Sequence, residues 1–157
     1  MSKAKSPTPV VGGLKSHIGF WLRFVSNHVS HAFARDLLRN GVTVAEWVVL
    51  REMYGQEQMS HSALADLTSL TRGAASKLIE RLVSKKLVSR QGRSDDRRFQ
   101  DISLTPAGRK LVPALAATAD QNDKAFFTPL SQTERTALIT TLKKLVEAHS
   151  LHKLPTE

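Results

Sequence analysis

The feature that most constrains the fold is a junction. An amphipathic segment, 71-TRGAASKLIERLVSKK-86, runs directly into two short alternating segments, 87-LVSRQ-91 and 101-DISL-104, with the charged stretch 92-GRSDDRR-98 between them. Ile102 and Leu104 alternate with Asp101 and Ser103, which is the period-two pattern of a half-buried strand, so 92–98 reads as the tip of an antiparallel hairpin. That tip is longer than the two to five or so residues of an ordinary hairpin loop, so chain reversal alone does not account for it. A solvated charged loop is the bland explanation, and the preceding segment shifts the balance. On a helical wheel of 71–86, Ala75, Leu78, Ile79 and Leu82 fall on one side. Gly73, Ser76, Lys77, Glu80 and Ser84 fall on the other, flanked by Arg72 and Arg81. The outer face therefore carries hydrogen-bonding and cationic groups suited to base edges and phosphates. Gly73 costs such a helix about 1 kcal/mol relative to alanine, a cost explained equally by close approach of a DNA backbone or by tight helix–helix packing.

The rest of the chain is punctuated as helices. Leu14, Ile18, Leu22, Val25, Val29 and Ala32/Phe33 recur at three- and four-residue spacing, predicting a long first helix over 14–39 that Asn40-Gly41 breaks. The capping-box pattern 43-TVAE-46 opens a second helix over 44–54, and Gly55 stops it. A short third helix over 60–69 is expected to turn Ala63, Leu64 and Leu67 inward. Thr105-Pro106 starts a fifth helix running to about 128, with Leu111, Leu115, Thr118/Ala119, Asn122 and Phe126 on one face, and Pro113 predicts a kink or an early interruption. A second capping box, 131-SQTE-134, opens a sixth helix carrying Leu138, Leu142, Leu145/Val146 and His149. The expected fold is mainly α, with six helices and one hairpin.

Length and charge narrow the function. A chain of 157 residues suits one domain of 14–157 behind a polar, proline-containing arm over 1–13, whose Lys3 and Lys5 are the charges nearest the start. The net charge is +9, and 71–98 holds nine basic residues against three acidic ones, so this segment supplies most of the excess. A positive field so concentrated favours a polyanion, nucleic acid first. No apolar run has transmembrane length and no amphipathic segment has a purely basic polar face, so no membrane partner is expected. The absence of cysteine removes disulfides and thiolate ligands and fits a reducing cytoplasm. There is no phosphate-binding glycine loop, nucleophile elbow or paired carboxylates in an apolar setting, so no enzyme is expected. His28-x-x-His31 and His149-x-x-His152 have spacings that imidazole-binding metals can use. No carboxylate or thiolate at ligand spacing joins either pair, so neither a metal site nor a cofactor is expected.

Two short helices in tight succession followed by a charged hairpin make a winged helix-turn-helix. In that arrangement the second helix enters the major groove, and the wing reaches the backbone or the adjacent minor groove. The DNA-binding part is expected over about 43–105, with Arg72, Gly73, Ser76, Lys77 and Arg81 of the helix and Arg93, Arg97 and Arg98 of the wing as candidate contacts. Winged helices also serve as protein-interaction modules, for which an apolar patch on that face would be more usual.

The stretch 64-LADLTSLTRGAASKLIERLVSKKLVSR-90, with 96-DRR-98 followed by 104-LTPAG-108, resembles the MarR family of bacterial transcription regulators. The order of elements matches over 14–150. By that resemblance Asp96 shapes and braces the wing and an arginine enters the minor groove. Arg93 stands where an acidic residue is usual, which leaves open which of Arg93, Arg97 and Arg98 touches DNA. Lys86 stands where the family commonly has glycine, so the end of the recognition helix is expected to differ. The resemblance implies a homodimer joined through 14–40 and 106–153, whose winged parts read the halves of a pseudo-palindromic double-stranded site. It also implies a repressor released by a small anionic or aromatic effector. Candidates to line an effector pocket are His17, Trp21 and Trp47, with Arg23 or Arg51 as an anion partner; core packing is the competing role for both tryptophans.

Overall fold

A computed structural model describes residues 12–92 and 100–152. In chain order the described elements are α1 (Ile18–Arg39), α2 (Val44–Tyr54), β1 (Met59–Ser60), α3 (His61–Thr68), α4 (Arg72–Ser84), β2 (Val88–Gly92), β3 (Gln100–Leu104), α5 (Pro106–Phe126) and α6 (Gln132–Ala148). The expected mainly helical, winged arrangement is present, with one strand more than the sequence predicts. β3 is the centre of a three-stranded antiparallel sheet, pairing with β2 through Val88↔Leu104 and Arg90↔Ile102 and with β1 through Met59↔Ile102. A strand of two residues is too short to show alternation. β1 forms because β3 offers it a free edge.

The caps explain the boundaries. Thr43, Ser60, Thr71, Thr105 and Ser131 each accept a backbone N–H three residues on, satisfying one of the orphan donors of a helix start. Both expected capping boxes close, Glu46 accepting from the Thr43 N–H and Glu134 from the Ser131 N–H, each at 2.8 Å. The first helix lacks such a cap: a 3-10 turn over Leu14–Ser16 precedes it, His17 makes no capping bond, and α1 starts at Ile18 rather than at 14.

Four helices end in the same way. After α1, α3, α4 and α6 the chain passes through one left-handed residue, respectively Gly41 (φ 72°), Ser69 (φ 52°), Lys86 (φ 60°) and Ser150 (φ 49°). In α4, Lys86 N–H donates to Val83 O at 2.9 Å and Leu87 N–H to Leu82 O at 2.9 Å, the paired bonds of a Schellman end. The end of α4 therefore does not differ as the missing glycine suggests. Lysine occupies the left-handed position, at a steric cost of about 1–2 kcal/mol.

The core lies where α2, α4, β3 and α5 meet, around Leu50, Ile79, Leu82, Ile102 and Leu115. The buried face of α4 comprises Ala75, Leu78, Ile79 and Leu82, as its wheel predicts. In α3 the inward residues are Leu64, Ala65 and Thr68, and Leu67 is 49% exposed, contrary to expectation. Those three centre the buried stripe away from Leu67, and the Thr68 hydroxyl is satisfied by donating to Leu64 O at 2.7 Å. Pro113 does not interrupt α5, which is continuous to Phe126. It is exposed on the outer side of the helix. Gly108 is required by packing: a Cβ there would collide with Leu87 O, where the first turn of α5 crosses the exit of α4.

Candidate nucleic-acid interface

The helix-turn-helix is α3 and α4 joined by Ser69, Leu70 and Thr71, the left-handed Ser69 supplying the sharp reversal. With Ala75, Leu78, Ile79 and Leu82 anchored in the core, Arg72, Gly73, Lys77 and Arg81 are exposed and Ser76 is half-buried beside them. Among the described residues no hydrogen bond or ion pair engages the side chain of Arg72, Ser76, Lys77 or Arg81, so those groups remain available. A Cβ on Gly73 would meet nothing within 4 Å. Tight helix–helix packing is thereby removed as the reason for glycine at this position, and close approach from outside remains. The wing candidates Arg93, Asp96, Arg97 and Arg98, like Lys3 and Lys5, lie outside the described residues. The stem of the wing is held by the β2·β3 ladder and by a hydrogen bond between the Ser89 and Ser103 hydroxyls at 3.0 Å.

One cation of this basic segment is not free. Lys85 Nζ donates to Glu46 Oε2 at 2.7 Å, to Glu46 Oε1 at 2.8 Å and to Gly41 O at 2.7 Å, tying the exit of α4 to the start of α2 and to the turn before it. Glu46 is only 1% exposed. Burial raises its pKa, but the Lys85 and Thr43 hydrogen bonds and the Lys85 charge outweigh that and hold the carboxyl below its ordinary value. Sequence reasoning saw Glu46 only as a capping residue and Lys85 only as helix-end charge. Nothing in the local pattern joins residues thirty-nine positions apart. On the other side of α4, Arg90 Nη2 of β2 lies 3.8 Å from Glu80 Oε1. His61, at the start of α3, has a buried Nε2 without a partner among the described residues, and burial and then the Arg90 charge hold its pKa below the ordinary imidazole value.

Two clefts flank α1. A groove of about 740 Å³ is lined almost entirely by apolar groups of α1, of the α5–α6 connection and of α6, including Trp21, Leu22, Val25, Phe127, Leu138 and Leu142. A second cleft of about 480 Å³ between α1 and α2 is lined by Ser26, Asn27, Ser30, His31, Phe33 and Ala34 of α1 and by Val44, Trp47 and Val48 of α2. Trp21 and Trp47 thus line different clefts, while His17, Arg23 and Arg51 line neither. Trp47 also packs edge-on against Phe33, with ring centroids 6.5 Å apart, so it serves both core and cleft. Among the described residues no cluster of three metal-ligating side chains occurs, and no helix is long and apolar enough to cross a membrane.

The paired short helices, the hairpin at their exit and the free cationic face of the second helix define a winged helix-turn-helix DNA-binding protein. Residues 40–98 match the MarR family. A putative transcriptional regulatory protein for the hcr operon of Thauera aromatica is 30% identical over 142 residues, covering 90% of this chain and 86% of the relative. Bordetella bronchiseptica BpsR, whose structure was described for the regulation of its DNA binding by 6-hydroxynicotinic acid, superposes with a TM-score of 0.75 at 28% identity over 87% of this chain and 99% of that one. An Escherichia coli MarR mutant complexed with operator DNA shares the fold, with a TM-score of 0.72 at 22% identity over 82% of this chain and 93% of its own. The chain belongs to the MarR family of DNA-binding transcription regulators, and its relatives are regulators rather than enzymes.

Proposed function

We propose that the chain acts in the cytoplasm as a homodimeric, sequence-specific repressor of double-stranded DNA, released by a small aromatic or anionic ligand. The observation that carries the DNA-binding half of this reading is the outer face of α4, where Arg72, Lys77 and Arg81 are exposed around Gly73 and Ser76 and have no side-chain partner among the described residues. That face holds no large apolar side chain, so it suits phosphates and base edges rather than a protein-docking role. The dimer reading is supported by α6, which buries none of its residues, and by Ile18, Trp21, Leu22 and Val25 of α1, all exposed beside it. Residues 43–105 would then bind DNA, while 14–40 and 106–153 join the subunits around a pseudo-palindrome.

The effector reading rests on the cleft between α1 and α2. Hydroxyl, amide and imidazole groups face an indole across a space large enough for a single-ring aromatic. Its charge complement differs from the expected one, because His31 rather than Arg23 or Arg51 is the titratable group in the lining. The relative's ligand, 6-hydroxynicotinic acid, is the first molecule to try.

The test is selection of genomic fragments by the purified protein, followed by titration of binding with salt. An inverted repeat bound by two subunits, with affinity falling about 10³- to 10⁵-fold between 50 and 200 mM salt, is the expected result. Recovery of no sequence preference, with salt-insensitive capture of protein partners instead, would overturn it in favour of a docking module.

A further inference from the structure

One line of residues runs along the crest of α4, directly opposite its buried stripe: Gly73, Lys77, Glu80 and Ser84, at spacings of four, three and four. A side-chain-free position and a cation suit a polyanionic partner, while the Ser84 hydroxyl donates its hydrogen back to Arg81 O at 2.7 Å. Glu80 does not suit such a partner, since its carboxylate is repelled by every phosphate. It is nevertheless 65% exposed, and it is the one acidic residue of the helix. Among the described residues its nearest opposite charge, Arg90 Nη2, is 3.8 Å away, beyond direct hydrogen-bond reach, and none of them takes up the acceptor capacity of its carboxylate oxygens. Arg72 and Arg81 lie to either side of the crest, where a helix in a groove meets the two phosphate strands. A carboxylate between them is tolerable over base edges, where amino groups are presented, and not over the backbone.

We propose that Glu80 is a specificity-determining residue of this regulator, accepting a hydrogen bond from the N4 amino group of a cytosine in each half-site. Cytosine fits best among the four bases. Guanine presents two acceptors in the major groove, thymine an acceptor and a methyl group, and adenine an acceptor beside its amino group, whereas cytosine presents the donor alone. Arg90 is a positioning residue, close enough to steer the carboxylate and offset part of its charge without occupying it. The proposal rests on α4 being the helix in the groove.

Site selection from a randomised duplex library, using the full-length protein and its Glu80→Ala, Glu80→Gln, Arg90→Ala and Lys77→Ala variants, tests it. In the wild type one position per half-site selects cytosine. Glu80→Ala loses that preference alone, by about 5- to 150-fold against the other bases, and Glu80→Gln moves it to adenine, for which an amide is the complementary partner. Arg90→Ala keeps the cytosine preference in weaker form. If Glu80 only tethers β2 to α4, Glu80→Ala and Arg90→Ala lower affinity uniformly and leave the preferences unchanged, which overturns the proposal. Lys77→Ala separates the two levels of failure. A changed position for Lys77→Ala with none for Glu80→Ala removes Glu80 and keeps α4 as the reading helix, while no change for either variant removes both.

Discussion

At the scale of single residues, the ion pair between Lys85 and Glu46 has the largest consequences. Lys85→Met leaves a carboxylate buried without its cation and is expected to cost about 3–5 kcal/mol in chemical denaturation. The double variant Glu46→Gln/Lys85→Met, which buries no charge, should recover most of that loss. Acid should act on the same residue. Glu46 has a depressed pKa, so its contribution is complete above about 4.5, the ordinary glutamate value, and is lost as pH falls through the lower folded value. His61, also depressed, acts at higher pH: the unfolded chain takes up its proton first, so stability begins to fall below about 6.5 and His61→Asn should remove that upper limb from a stability–pH curve. An unchanged upper limb in the variant would show that His61 is not its source. Lys86→Gly removes the left-handed strain at the end of α4, against a greater loss of chain entropy, and a net gain of about 1 kcal/mol is expected by denaturation. Glu46, Lys85 and His61 do not announce these roles in the sequence. A capping glutamate, a helix-end lysine and a surface histidine are ordinary residues until the fold brings distant segments against them.

At the scale of elements, boundaries were legible wherever a side chain supplies the signal locally. Thr43, Thr71, Thr105 and Ser131 each fix a helix start through a bond spanning three residues, and the expected starts coincide with the observed ones. Leu67 and β1 were not legible because their placement is decided by neighbours, by α2 and α4 packing on α3 and by an edge of β3 that only the folded sheet creates. α4 allows a test in which stability and binding part company. Gly73→Ala has room for its methyl group and should stabilise α4 by up to about 1 kcal/mol, measured by thermal melting. If a DNA backbone passes close to that position, the same variant should bind its site more weakly. Equal or tighter binding would show that glycine there serves no contact. Gly108→Ala is the control of opposite sign, losing stability because its Cβ meets the carbonyl of Leu87.

At the scale of the whole molecule, two clefts flank α1, and under the proposed function the apolar one would serve the subunit contact and the more polar one an effector. The apolar periodicity of α1 and α6 was plain, and the family resemblance implied a partner subunit. Which tryptophan faces which cleft was not readable, since Trp21 and Trp47 carry the same local signal. Leu142→Glu, placed in the apolar groove and remote in sequence from the reading helix, should shift the protein toward monomer in sedimentation and abolish operator binding, while a core-reporting melt survives at high protein concentration. A stable dimer in that variant would place the subunit contact elsewhere. The sixth helix, with none of its residues buried within its own chain, has one more implication. If the chain pairs as proposed, a newly made subunit that has not met its partner would carry a seventeen-residue helix with no buried side chain, the kind of segment that opens locally and is cut by proteases. Cellular lifetime would then report assembly rather than folding: unpaired copies are cleared, paired ones persist, and the pool of regulator is trimmed to what can occupy a two-fold site.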